Sequence, residues 1–120
     1  FGICHGLQII NHFFGGTLRR VKLKNKHVAN EHQIKAIGAN SKRWFGANKL
    51  LVNSYHNYAV DKLGKNLEIM ALSNDGEIES VSHKNEKIMA IMWHPERNFS
   101  DVKSGNLNRN IINRYIDTVK

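Results

Sequence analysis

Gly2-Ile3-Cys4-His5-Gly6 sets the only cysteine of the chain between two glycines, each two residues away. The spacing is the thiol counterpart of the G-x-S-x-G turn, where a strand meets a helix sharply and the nucleophile sits at the corner. Such a corner strains the backbone of the nucleophile and crowds its neighbours, so glycine is expected on both sides. It also aims the thiol at a helix N-terminus, whose unpaired N–H groups favour a thiolate and can hold an oxyanion. In the residues that follow, Leu7, Ile10 and Phe14 fall on one helical face with Phe13 beside them, and Gly15-Gly16 marks the helix end. A small buried cysteine that happens to lie between glycines is the plainer reading, and it has no need of that helix.

Further along, Thr17 to Leu23 reads as a short strand, Lys24 to Glu31 as a polar loop, and His32 to Ile37 as a second strand. Ser41 to Asn48 holds Trp44 and Phe45 between turn residues, and Lys49 to Asn53 reads as a buried strand. Leu67 to Ser73 and Glu77 to His83 alternate on either side of Asp75-Gly76, a hairpin signal. Ile88-Met89-Ala90-Ile91-Met92 is the most apolar run and leads into Trp93-His94-Pro95-Glu96. Leu107, Ile111, Ile112, Tyr115, Ile116 and Val119 form one stripe of a C-terminal amphipathic helix. Helices and strands mixed in this order describe one α/β domain, with no repeat or linker.

His94 and Glu96 supply what a cysteine nucleophile lacks. Residues two apart in an extended segment project to the same side, so the ring and the carboxylate can meet, and Pro95 fixes one torsion between them. The carboxylate would take one ring N–H and leave the other nitrogen to accept the thiol proton.

Composition sets the outer limits. The 120 residues suffice for one small core, and 41% hydrophobic with 23% charged residues is ordinary for a water-soluble domain. A single cysteine cannot form an internal disulfide, which suits a reducing cytoplasm. No apolar run approaches membrane-spanning length. The net charge of +8 raises nucleic-acid binding, but the lysines are scattered and no aromatic ladder interleaves them, so a solvated basic surface is expected instead. His12 and His83 read as surface or packing residues. His27 and His32 are a loose pair with no third ligand at a suitable spacing, so neither a metal nor a cofactor is expected.

Gly2-Ile3-Cys4-His5-Gly6-Leu7-Gln8, Val52-Asn53-Ser54-Tyr55-His56 and Trp93-His94-Pro95-Glu96, in this order, resemble the class I glutamine amidotransferases, and within them the γ-glutamyl hydrolase-like branch. The resemblance implies the C-terminal half of a flavodoxin-like, three-layer α/β domain. It implies a Cys4-His94-Glu96 triad that hydrolyses a γ-glutamyl amide through a thioester, with the His5 N–H in the oxyanion hole. Gln8, Ser54, Tyr55 and His56 are expected at the substrate. His32 is similar to a structural histidine of the branch. The chain departs from the branch where a His-Gln pair commonly follows the central histidine and Asn57-Tyr58 stands here, which shifts the expected amine from γ-aminobutyrate towards a sugar- or nucleotide-linked amide. Family members have roughly 80 to 100 more residues before the elbow. Residues 1–120 are therefore expected to be a partial domain, inactive alone and lacking the other oxyanion donor. The alternatives are a glutaminase part that passes ammonia to a synthetase partner, and a non-catalytic basic binding module.

Overall fold

The computed structural model of the protein describes residues 1–28, 30–97 and 99–120. A six-stranded sheet is built from β1 (Gly2–Ile3), β3 (Asn30–Ala36), β4 (Lys49–Ser54), β6 (Leu67–Ser73), β7 (Ile78–His83) and β8 (Met89–Ile91). The strand order is β1-β8-β7-β6-β3-β4. Only β1 and β8 run parallel; the other neighbours are antiparallel. A separate ladder joins β2 (Leu18–Arg20) to β5 (Tyr58–Val60).

The apolar run of β8 explains the layering. Both its faces are covered, so it reads as continuous hydrophobic sequence instead of alternating. Met89, Ile91 and Trp93 face one core with Phe45, Val52 and Ile111, which brings in α3 (Ala39–Phe45) and α4 (Val102–Val119). Ala90 and Met92 face the other core with Leu7, Val60 and Val81, which brings in α1 (His5–Phe13) and β5. Helix, sheet and helix make three layers. The Trp93 indole N–H, wholly buried, donates to Asn108 Oδ1 of α4 at 2.6 Å. Among the described residues no helix is long and apolar enough to cross a membrane.

The hairpin at Asp75-Gly76 forms as expected, with Gly76 at φ +86°. Three local expectations give way. Lys24 to His27 is a turn of helix (α2) inside the segment read as loop. Trp44 and Phe45 end a seven-residue helix that Gly46 closes in the left-handed conformation; with under two turns, its period was too short to register. Phe13 is 79% exposed, while Phe14 packs, partly buried, against the second core. At 3.6 residues per turn, position 14 lies about 20° from Leu7 and position 13 about 120° away.

Phe45→Ala removes a ring with no exposure from the larger core. It is expected to lower stability by about 3–5 kcal/mol in urea unfolding. Phe13→Ala should change it by no more than about 0.5 kcal/mol.

Candidate active site

Cys4 is the N-cap of α1 and holds φ 52°, ψ −100°, a region that residues with a Cβ rarely enter. The strain, of order 1–3 kcal/mol, is held by the residues around it. Cys4 N–H donates to Ile91 O at 2.8 Å, and Cys4 O accepts from Leu7 N at 3.0 Å and Gln8 N at 3.3 Å. The amides of His5 and Gly6 open the helix, where no earlier carbonyl of the helix can accept from them. The flanking glycines are not equivalent. A Cβ on Gly2 would stand 2.8 Å from the Gly6 carbonyl carbon and 2.8 Å from Ile10 Cδ1, whereas one on Gly6 would meet nothing within 4 Å. The expected crowding therefore falls on Gly2 alone.

The parallel register Ile3↔Ile91 sets Cys4 beside Met92, so that His94 follows two residues further along the neighbouring strand. His94 Nδ1 lies 2.9 Å from Glu96 Oε2. An ionised carboxylate can only accept, so Nδ1 carries the hydrogen and Nε2 keeps its lone pair. Asn53 holds the backbone of the same residue from both sides: its Oδ1 accepts from His94 N at 2.8 Å and its Nδ2 donates to His94 O at 2.8 Å. Tyr55 meets the His94 ring edge-on, with centroids 6.0 Å apart, and carries the Arg97 guanidinium 4.4 Å above its own ring.

Burial pushes the Cys4 thiol above its ordinary range; the His5 N–H and the Arg97 charge pull it back only in part, and Glu79 and Glu96 push it further up. The amide at the helix start therefore offsets only part of the effect of burial. Burial also works upward on the Glu96 carboxyl, but its own backbone N–H, His94 and Arg97 outweigh it and hold it below the usual range.

The other expected residues divide by strand alternation. Asn53 and Tyr55 face His94, whereas Ser54 and His56 face the opposite way. Ser54 Oγ donates to His27 O at 2.7 Å, and His56 is buried against His27 and Glu79. Their side chains lie away from the His94 side on which they were expected. Gln8 is largely buried and already engaged: His5 Nδ1 is 3.3 Å from its Oε1, and its Nε2 donates to Tyr58 O at 3.4 Å and sits 3.8 Å from Met92 Sδ. The His5 ring is exposed. Sequence reasoning passed over Asn53 and Arg97. The signal for Asn53 was present, since it stands two residues before Tyr55 in the same motif.

The family model described as Peptidase C26 matches residues 1–96. The γ-glutamyl-CDP-amidate hydrolase of Campylobacter jejuni is 33% identical over 99% of this chain and 50% of its own length. The bifunctional protein TrpGD of Thermotoga maritima is 34% identical over 79% of this chain and 16% of its own. A solved glutamine amidotransferase from Methylobacillus flagellatus superimposes with a TM-score of 0.77 at 13% identity, over 96% of this chain and 61% of that one. The chain spans about half or less of the length of the curated relatives it matches.

Because burial raises the Cys4 thiol, its alkylation by iodoacetamide in the free protein should rise with pH with a midpoint above that of an ordinary thiol. Arg97→Gln removes a charge that favours the thiolate, so the midpoint should move higher still and the rate near neutral pH should fall a few-fold.

Proposed function

This chain belongs to the Peptidase C26 family, which is class I glutamine amidotransferase-like, and we propose that it carries the reacting groups of a γ-glutamyl amide hydrolase. The observation that carries this reading is the strained Cys4 corner beside a strand that ends in the hydrogen-bonded pair His94–Glu96.

In this reading His94 Nε2 takes the thiol proton while Cys4 Sγ attacks the γ-carbonyl carbon of the substrate. The His5 N–H, at the helix start, stabilises the oxyanion. Glu96 accepts from Nδ1 and steadies the imidazolium. The imidazolium then gives its proton to the departing amine, and the C–N bond breaks to leave a γ-glutamyl thioester on Cys4. Water attacks the thioester as His94 takes its proton. Glutamate leaves, and the proton returns to sulfur. The raised thiol fits this order, since proton removal accompanies attack and does not precede it. The leaving amine is proposed to be nucleotide-linked. The likeness to the Campylobacter jejuni hydrolase supports this, as does Asn57-Tyr58 at the point of departure from the branch. The single free cysteine fits a cytoplasmic setting.

A second reading is favoured by the likeness to TrpGD and to the carbamoyl phosphate synthase small chains of Pyrobaculum aerophilum and Clostridium perfringens. The amide would then be glutamine itself, and ammonia would pass to a synthetase partner.

The full-length protein should form a γ-glutamyl adduct on Cys4 that mass spectrometry detects after rapid quench, and Cys4→Ala should abolish both adduct and turnover. Asn53→Ala should lower kcat on the order of 100-fold with little change in KM, because it loosens the mount of the base and not the substrate. Undiminished turnover by Cys4→Ala would sink the thioester reading. Release of free ammonia from glutamine, stimulated by a co-purifying synthetase, would favour the second reading.

A further inference from the structure

Behind the strand that carries Asn53, three buried side chains converge on one point, and the carboxylate among them has no hydrogen bond. His27, His56 and Glu79 have no exposure to speak of, at 0%, 2% and 0%. His27 Nδ1 and His56 Nε2 are 3.2 Å apart, and each faces Glu79 Oε1, at 3.4 Å and 3.5 Å. The last two separations exceed an N–H···O bond, and both oxygens of the fully buried Glu79 lack a hydrogen-bond partner.

The outer partners fix the hydrogens. His27 Nε2 lies 2.7 Å from Asp75 Oδ2, and His56 Nδ1 lies 2.9 Å from Tyr58 O. A carboxylate and a carbonyl only accept, so in the neutral rings those outer nitrogens carry the hydrogens. The two inner nitrogens and the carboxylate then present three lone pairs to one another in a dry interior. Something positive has to sit between them.

The geometry points to a metal: we propose that His27 Nδ1, His56 Nε2 and Glu79 Oε1 form a tetrahedral site for a divalent transition-metal ion, with zinc the best match. Zinc binds imidazole and carboxylate at about 2.0–2.1 Å, and a tetrahedron with such bonds has edges of about 3.3–3.4 Å. The three observed edges, 3.2, 3.4 and 3.5 Å, form one face of it. Each ligating ring donates its other N–H to a carboxylate or a backbone carbonyl, the arrangement that orients metal-bound histidines. Glu79 and Asp75 together balance the two charges of the ion. His32, whose buried Nε2 lacks a hydrogen-bond partner and stands 3.5 Å from the same Glu79 oxygen, or a solvent molecule, takes the fourth position. The donors come from α2, from the segment after β4 and from β7, so the ion staples three distant segments. One of them presents Asn53 and Tyr55 to His94. This site does not depend on the thioester reading.

The test uses the full-length protein, stripped with a chelator and then given Zn2+ or Co2+ alone. One equivalent of zinc should survive dialysis, Tm should rise with zinc concentration, and Co2+ should give the intense visible bands of a tetrahedral complex. Glu79→Gln should lose the ion. Because that variant can also unfold, Asp75→Asn is the second probe, and it should keep the fold while weakening zinc affinity about 10- to 100-fold. Cys4→Ser should bind zinc as well as the parent does. A stripped protein whose Tm ignores zinc and that gives no cobalt bands would mean that a shared proton closes the cluster, which overturns the proposal. Zinc lost in Cys4→Ser but kept in Glu79→Gln would overturn it equally.

Discussion

Two residues of parallel ladder between β1 and β8, extended by the bond from Cys4 N–H to Ile91 O, set the relation on which everything else at the site depends. Parallel strands end at the same edge of a sheet, so a corner that follows β1 and a turn that follows β8 are delivered to one place. An antiparallel pairing would have sent Cys4 and His94 to opposite edges. The ladder is short, but β8 is held by β7 on its other side and by apolar cores on both faces. The position of Cys4 is therefore set chiefly by the burial of Ala90, Ile91, Met92 and Trp93.

The strain at Cys4 and the clamp on His94 divide the work of preorganisation. Cys4 is held by backbone hydrogen bonds to Ile91, Leu7 and Gln8, in a corner where Gly2 lies close against the Gly6 backbone. His94 is held by hydrogen bonds, with Asn53 taking both backbone groups of the residue and Glu96 taking the ring. Neither device depends on charge at the thiol. The thiol itself is half-buried, and that burial raises it above its ordinary range.

Where period and turn chemistry were strong, the fold could be read directly from the residues. Leu67–Ser73 was located to the residue, the Asp75-Gly76 hairpin formed, and the long apolar stripe after residue 101 is α4. Short elements were less visible. Three residues of β5 and the seven of α3 do not complete a pattern, and α2 forms inside polar sequence. The corner at Cys4 and the pairing of His94 with Glu96 follow from contiguous motifs. The gathering of His27, His56 and Glu79 does not. These residues lie on three segments, and only the sheet order makes them neighbours. The expectation that His27 and His32 find no third ligand rested on spacing along the chain, which is blind to that order.

Alternation along residues 53–56 has a consequence for how this stretch can evolve. Asn53 and Tyr55 meet His94 while Ser54 and His56 meet the histidine–glutamate cluster, so one residue inserted or deleted before Asn53 would exchange the two sets. Both sets of contacts would be lost together, although no side chain had been replaced. A change of length here therefore disturbs more contacts than any single replacement, whereas an insertion at the exposed residues 65 and 66 would leave both sets in phase.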